Sequence, residues 1–150
     1  MRTLLAGLLA MAMLASLAVP AALGAGYGRG NFSGKAVSQF DNDRPKTPIE
    51  IKVKGKRARI VKAVFLFDCS SDGSTLRRTV ETPFKKVDNG PAGGGLYYDG
   101  KVSSKEGPEK IEVTFFLGLR EKAIRGTGDA YMDVEGSPCS DDIIFKANKR

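Results

Sequence analysis

Residues 49–67 read IEIKVKGKRARIVKAVFLF, and this stretch decides the fold. Isoleucine and valine alternate with charged residues over 49–54, which predicts a strand with one buried face and one wet face. Residues 60–67 are apolar on both faces, which is typical of a central strand. We expect the two runs to pair as an antiparallel hairpin.

Similar short runs rich in Val, Ile, Phe and Thr continue along the chain beyond this hairpin. Turn residues separate them at intervals of roughly 8–12 positions, which is typical of antiparallel sandwiches and barrels. The sequence therefore predicts an all-β fold class: a single antiparallel β-sandwich or flattened β-barrel of seven to nine strands. The expected strands lie near 31–39, 48–54, 58–68, 76–82, 96–103, 109–118, 122–133 and 142–148.

Three dipeptides are expected to form turns between strands. They are Asp72-Gly73, Asn89-Gly90 and Asp99-Gly100, and each tolerates positive φ. Residues 116–125 could instead form a short helix, but the glycines at 118 and 126 favour a hairpin that turns near Arg120-Glu121.

The N-terminal segment predicts export. Residues 1–25 combine Arg2, an apolar run and a Pro20 followed by small residues, which indicates a cleaved signal peptide. An uncleaved anchor is the alternative, since about 20 apolar residues can span a bilayer. We expect a secreted or extracytoplasmic monomer with no transmembrane segment after cleavage. Residues 26–34 are expected to form a flexible glycine-rich segment, and 35–150 a single β domain.

Cys69 and Cys139 are the two cysteines of the chain. In an oxidising compartment an even number of cysteines favours a disulfide bond. Closing a loop of this length would stabilise the fold by about 4 kcal/mol in the chain-entropy model. Two free buried thiols are the alternative. The chain has no CxxC motif, which argues against redox catalysis.

The composition limits the chemistry that the protein can perform. The chain has no histidine, which removes Ser-His and Cys-His nucleophiles and histidine metal sites. P-loop and dinucleotide-binding motifs are absent as well. Paired carboxylates could still hydrolyse a glycoside, although the sequence identifies no pair. We therefore predict a protein that is not an enzyme, with no catalytic residue and no cofactor.

A cluster of cations on the hairpin is the clearest candidate for a binding site. Alternating lysines of the first strand share one face, and the cations of the return strand would lie close to them. Such a face attracts phosphate or carboxylate polymers. The alternatives are a solvated sheet face, which we favour, or an edge strand protected by lysine. The candidate residues are Lys52, Lys54, Lys56, Arg57, Arg59 and Lys62.

Two further features have structural and functional interpretations. Tyr97 and Tyr98 are adjacent in a predicted strand, so one should enter the core and the other should be exposed. The exposed ring could contact a sugar or a peptide, but we favour core packing for the pair. Residues 41–43 and 141–142 carry carboxylates that could hold calcium. Their spacing differs from an EF-hand loop, so turn chemistry is favoured and no metal site is predicted.

Several short motifs resemble a group of small exported all-β proteins of actinobacteria. They are Gly30-Asn31-Phe32-Ser33-Gly34, Cys69 with Asp72-Gly73, Asp99-Gly100, Gly126-Thr127-Gly128, Cys139 and Phe145-Lys146-Ala147. The resemblance covers nearly all of the chain after the N-terminal segment. It implies an antiparallel β domain with the two cysteines bridged, and it implies no activity. The opening motif is also similar to the first strand of avidin- and lipocalin-like barrels, with Phe32 where those families carry Trp.

Three functions remain as hypotheses. The first is a non-catalytic extracellular binding or structural module whose ligand is unknown. The second is an electrostatic binder of anionic polymers, such as a cell-envelope polymer, through the basic hairpin. The third is a carboxylate-based hydrolase. The net charge of +7 favours anionic partners in general but selects none of them.

Overall fold

A computed structural model describes residues 27–90 and 93–150. The predicted signal peptide, residues 1–25, lies outside the described residues. Ten strands form one antiparallel sheet. Their bounds are β1 (Gly30–Ser38), β2 (Thr47–Lys54), β3 (Arg57–Cys69), β4 (Thr75–Val80), β5 (Lys85–Lys86), β6 (Asp88–Gly90), β7 (Gly93–Ser103), β8 (Lys110–Leu119), β9 (Ala123–Val134) and β10 (Ser137–Lys149).

The strand order in the sheet is β4-β3-β2-β1-β10-β9-β8-β7-β6, and β5 pairs with β3 outside this path. An additional pairing of β3 with β10 closes β3, β2, β1 and β10 into a small barrel. The predicted all-β antiparallel fold is therefore confirmed. The described residues form ten strands, where seven to nine were expected. The two that were missed, β5 and β6, are only two and three residues long, so they carry almost no period-two signal.

The core forms where the inner faces of the strands meet. Alternating residues of β8 and β10 are buried, as period-two patterning requires. Phe65 of β3 packs against Phe67, with ring centroids 5.8 Å apart, and against Phe115 of β8, at 5.9 Å. Tyr98 is buried whereas Tyr97 is exposed, which confirms the expected split of this pair.

The predicted disulfide bond lies at the closure of the barrel. Cys69 and Cys139 are direct cross-strand partners in the β3–β10 ladder, their Cα atoms are 4.1 Å apart, and they are bridged. Both residues are buried. The bond therefore joins two strands that are 70 positions apart in sequence at the point where the barrel closes.

A second set of contacts, around Asp141 of β10, stabilises the closure of the barrel. The buried carboxylate of Asp141 accepts a hydrogen bond from the Leu66 backbone N–H, at 2.7 Å. Arg44, from the β1–β2 connection, donates to the Leu66 carbonyl oxygen at 2.6 Å and pairs with Asp68 and Asp141. Burial raises the pKa of Asp141, and the Leu66 hydrogen bond and the Arg44 charge oppose that rise. Asp141 thus accepts a hydrogen bond from β3 next to the residues at which β3 and β10 pair.

The Asp72-Gly73 turn and the hairpin over 116–125 are present as predicted, whereas part of the segment predicted to be flexible is a strand. Asp72-Gly73 forms the expected turn, in which Gly73 has φ of +68° and Asp72 accepts the Ser74 N–H. Residues 116–125 form a hairpin, as favoured over a helix. Within the predicted 26–34 segment, residues 30–34 pair with β2, and residues 32–34 pair with β10 as well. The preceding Tyr27 packs against the core.

Two predicted turns lie within strands instead. Asp99 and Gly100 sit in the middle of β7, opposite Thr114 and Val113. A Cβ on Gly100 would lie 3.3 Å from the ring carbon Cζ of Tyr98, so this glycine makes room for a side chain and does not reverse the chain. Asn89-Gly90 likewise belongs to β6. A dipeptide typical of turns can therefore lie within a strand where a neighbouring side chain occupies the space that a Cβ would fill.

Candidate anion-binding surface

The predicted basic hairpin is formed by β2 and β3. A two-residue turn, Gly55-Lys56, joins the strands, and Gly55 has φ of +60°, a conformation that glycine adopts without steric cost. Alternate residues of β2 are buried in the core, so Lys52 and Lys54 point outward. The alternation predicted from the sequence therefore sets the exposed face of the hairpin.

Register places cations of the hairpin directly opposite one another. Lys52 pairs with Arg59 and Lys54 pairs with Arg57. Arg57 also pairs with Lys86 of β5, so three strands contribute one row of positive charge. Like charges in direct cross-strand pairs destabilise a sheet, with pair energies of roughly 0.2–1 kcal/mol. The sequence analysis missed Lys86, because two consecutive lysines give no sign of the strand that they pair with.

These cations lack acidic partners. Among the residues that the structure describes, no ion pair involves Lys52, Lys54, Arg57, Arg59 or Lys86. Protection of an edge strand does not explain them either, since β2 lies between β1 and β3 in the sheet. The surface formed by Lys52, Lys54, Arg57, Arg59 and Lys86, hereafter the basic face, therefore carries five cations that form no ion pair within the described residues.

The remaining two predicted cations lie at the margins of the basic face. Lys56 is exposed at the tip of the turn. Lys62 lies opposite Glu50, beyond a bulge that interrupts the ladder between Glu50 and Ile51. The carboxylate of Glu50 is 3.4 Å from the guanidinium of Arg150. Lys62 therefore lies directly opposite an acidic group, and Glu50 also lines a depression together with Lys52 and Arg59.

Arg59 is held in place at the centre of the basic face. Its guanidinium lies 5.0 Å from the ring centroid of Phe84. Its buried Nε has no hydrogen-bond partner among the described residues. A depression of about 200 Å³ lies beside it, and Lys52 and Arg150 also line this depression. Arg57 donates to the Phe84 carbonyl oxygen at 3.2 Å, so the segment before β5 supports both arginines.

A second row of cations crosses the outer face of the sheet on β9, β10 and β1. Lys146 pairs with Arg125 on one side and with Lys35 on the other. All three side chains are exposed, and none belongs to an ion pair within the described residues. No local motif could have revealed this cationic row, because its members come from three distant parts of the chain.

An acidic row lies further along the same outer face. Asp99, Thr114, Asp129 and Asp142 are successive cross-strand partners, and Thr114 donates to Asp99 at 3.0 Å. Burial raises the pKa of Asp142, and the charge of Asp129 and its hydrogen bond raise it further.

The carboxylates considered for calcium have structural partners. Asp41 accepts the backbone N–H of Asp43 at 3.0 Å, which is turn chemistry as favoured. For Asp141 and Asp142 the turn interpretation is wrong, because both lie inside β10. Within residues 27–90 and 93–150, no group of three or more His, Cys, Asp or Glu side chains is arranged to hold a metal ion.

Comparison of the chain with protein-family models, with curated proteins and with solved structures finds no match. The resemblance to small exported actinobacterial proteins therefore stays a prediction. In the described part of the chain, no helix is long and apolar enough to cross a membrane.

Proposed function

We propose that this protein is an exported, non-catalytic binding module that attaches to an anionic polymer of the cell envelope through the basic face. The observation that carries the proposal is the direct pairing of cations on β2, β3 and β5 without acidic partners. The disulfide bond is compatible with an extracellular location. The N-terminal segment supports export by its sequence alone.

The energetics of the basic face favour a polyanion over a single small ion. Each like-charged pair destabilises the free protein, and a ligand that places negative charge between the two cations reverses the sign of that interaction. A polymer can do this at several pairs at once, with the entropic advantage of linked contacts. Because the side chains are exposed, the attraction should weaken as salt screens it.

Polymer binding can be tested with fluorescently labelled polygalacturonate, titrated at NaCl concentrations from about 50 to 300 mM. We expect affinity to fall steeply with salt. The Lys54→Glu/Arg57→Glu variant should bind at least about tenfold more weakly than the wild type. A matched control, Arg77→Glu/Lys110→Glu, makes the same change in net charge at exposed positions away from the basic face, and it should lose far less.

Three results would count against the proposal. Equal losses in both double variants would show that net charge, and not the basic face, governs binding. Absence of binding to polygalacturonate and to polyglutamate at low salt would remove the function altogether. Turnover of a cell-envelope polymer by the wild type would replace a binding module with an enzyme.

A further inference from the structure

A groove with a glycine floor crosses the outer face of β7, β8 and β9. Gly95 and Gly118 are cross-strand partners at its base. A Cβ on Gly95 would meet no atom within 4 Å, and a Cβ on Gly118 would meet only the Arg125 carbonyl oxygen, at 3.8 Å. The two missing side chains therefore leave open space above the sheet. The depression measures about 650 Å³, which is within the usual range for ligand sites.

Two aromatic side chains form one wall of the groove. Tyr97 and Phe116 are cross-strand partners with ring centroids 4.8 Å apart and an angle of 43° between the ring planes. Tyr97 is 51% exposed and Phe116 is 52% exposed. Thr127 and Ile144 extend this wall across β9 and β10. An exposed aromatic pair beside a glycine floor is costly to leave in water, and it marks a binding site.

The β9 end of the groove is positively charged, whereas Asp88 of β6 lines its other end. Arg125 lies directly opposite Gly118, and the cationic row continues from it to Lys146 and Lys35. A second depression of about 490 Å³ shares Gly118 and Arg125 with the groove and adds Arg120. The aromatic rings therefore flank the glycine floor, and the cations lie at the β9 end of the same open space.

We propose that this groove binds an acidic sugar residue of a polysaccharide, with the pyranose ring against Tyr97 and Phe116 and the carboxylate on Arg125 and Lys146. This proposal rests on the proposed function, because it names the chemical class of the anionic polymer. A sugar has an apolar ring face and a polar edge, which match an amphipathic aromatic wall next to an arginine. The guanidinium group of arginine can bind a carboxylate through two hydrogen bonds.

Two features of the surroundings favour a sugar acid over a peptide. The floor glycines already have strand partners on both sides, Gly95 on β6 and β8 and Gly118 on β7 and β9, so a peptide cannot add there as a strand. The acidic row lies on the far side of the aromatic wall, at Asp99, Asp129 and Asp142. Its charge repels a ligand carboxylate and so directs that group to the cationic side.

Calorimetry with short oligomers tests the proposal. We expect tetragalacturonate to bind the wild type at least about tenfold more tightly than cellotetraose, which lacks the acid, and than tetraglutamate, which lacks the ring. Gly118→Leu should fill the groove and weaken tetragalacturonate binding at least about tenfold. Ser103→Leu adds the same side chain at an exposed position at the far end of β7, and it should leave binding unchanged.

The outcomes separate this proposal from the function on which it rests. If Gly118→Leu leaves tetragalacturonate binding unchanged while Lys54→Glu/Arg57→Glu still weakens polymer binding, the groove proposal fails and the basic face stands. If tetraglutamate binds as tightly as tetragalacturonate, the sugar class is wrong. Sedimentation that shows a wild-type dimer lost in Gly118→Leu would identify the groove as a contact between copies of the chain, and would also overturn the proposal.

Discussion

Replacement of Cys69 and Cys139 by alanine should lower the free energy of unfolding by about 5 kcal/mol. The bridge spans 70 positions, and the chain-entropy model assigns about 4 kcal/mol to a closed loop of that length at 25 °C. Both cysteines are buried, so loss of the sulfur atoms adds a packing cost of the order of 1 kcal/mol. Small domains are stable by roughly 5–15 kcal/mol, so the loss is a large share of the total.

Urea unfolding followed by far-UV circular dichroism measures this loss, since the chain has no tryptophan to report on it. The variant should still fold, because β3 and β10 keep their backbone pairing and the Arg44–Asp141 contact. A reducing agent should destabilise the wild type to a similar extent and leave the variant unchanged. A difference below about 1 kcal/mol would refute the reasoning, and so would alkylation of two thiols in the untreated wild type.

Two further predictions concern glycine packing and pH. A Cβ on Gly34 would collide with the Lys146 carbonyl oxygen and lie 2.8 Å from the Ala147 Cα, whereas Gly95 has open space. In thermal unfolding, Gly34→Ala should therefore lower the free energy of unfolding by about 1–3 kcal/mol and Gly95→Ala by less than about 0.5 kcal/mol. Equal losses in the two variants would contradict this prediction. The Arg78 hydrogen bond lowers the pKa of Glu109 below its ordinary value of 4.5. The Arg78–Glu109 pair therefore stabilises the fold above pH 4.5, and this stabilisation is lost as pH falls through the lowered pKa. Glu109→Gln should flatten the dependence of the free energy of unfolding on pH in that acidic range. An unchanged dependence would contradict the assignment.

Much of the fold could be predicted because strand formation leaves a local pattern. The alternation over 49–54 and the apolar run over 60–67 predicted β2 and most of β3. Two cysteines in a chain with an export-type N-terminal segment predicted the bridge that the structure contains. The turn predicted at Asp99-Gly100 is wrong because Gly100 makes room for the neighbouring Tyr98 ring, a tertiary contact that has no local pattern.

Four of the five residues of the basic face could be predicted, and the groove could not. The cations on β2 and β3 are close in sequence, so the hairpin pattern alone places them on one face. Lys86 joins them only through the pairing of β5 with β3. Arg125, Lys146 and Lys35 become neighbours through two separate ladders. None of these pairings has a signature in the residues themselves.

Local patterns in the amino-acid sequence predict eight of the ten described strands, their buried and exposed faces, the basic hairpin and the disulfide partners. The tertiary structure alone decided the closure of β3 on β10, the cationic row and the glycine-floored groove. The physical reason is that the alternation of side chains is a local property of each strand. Which residues of two distant strands face each other depends on register, and register is set only when the whole sheet assembles.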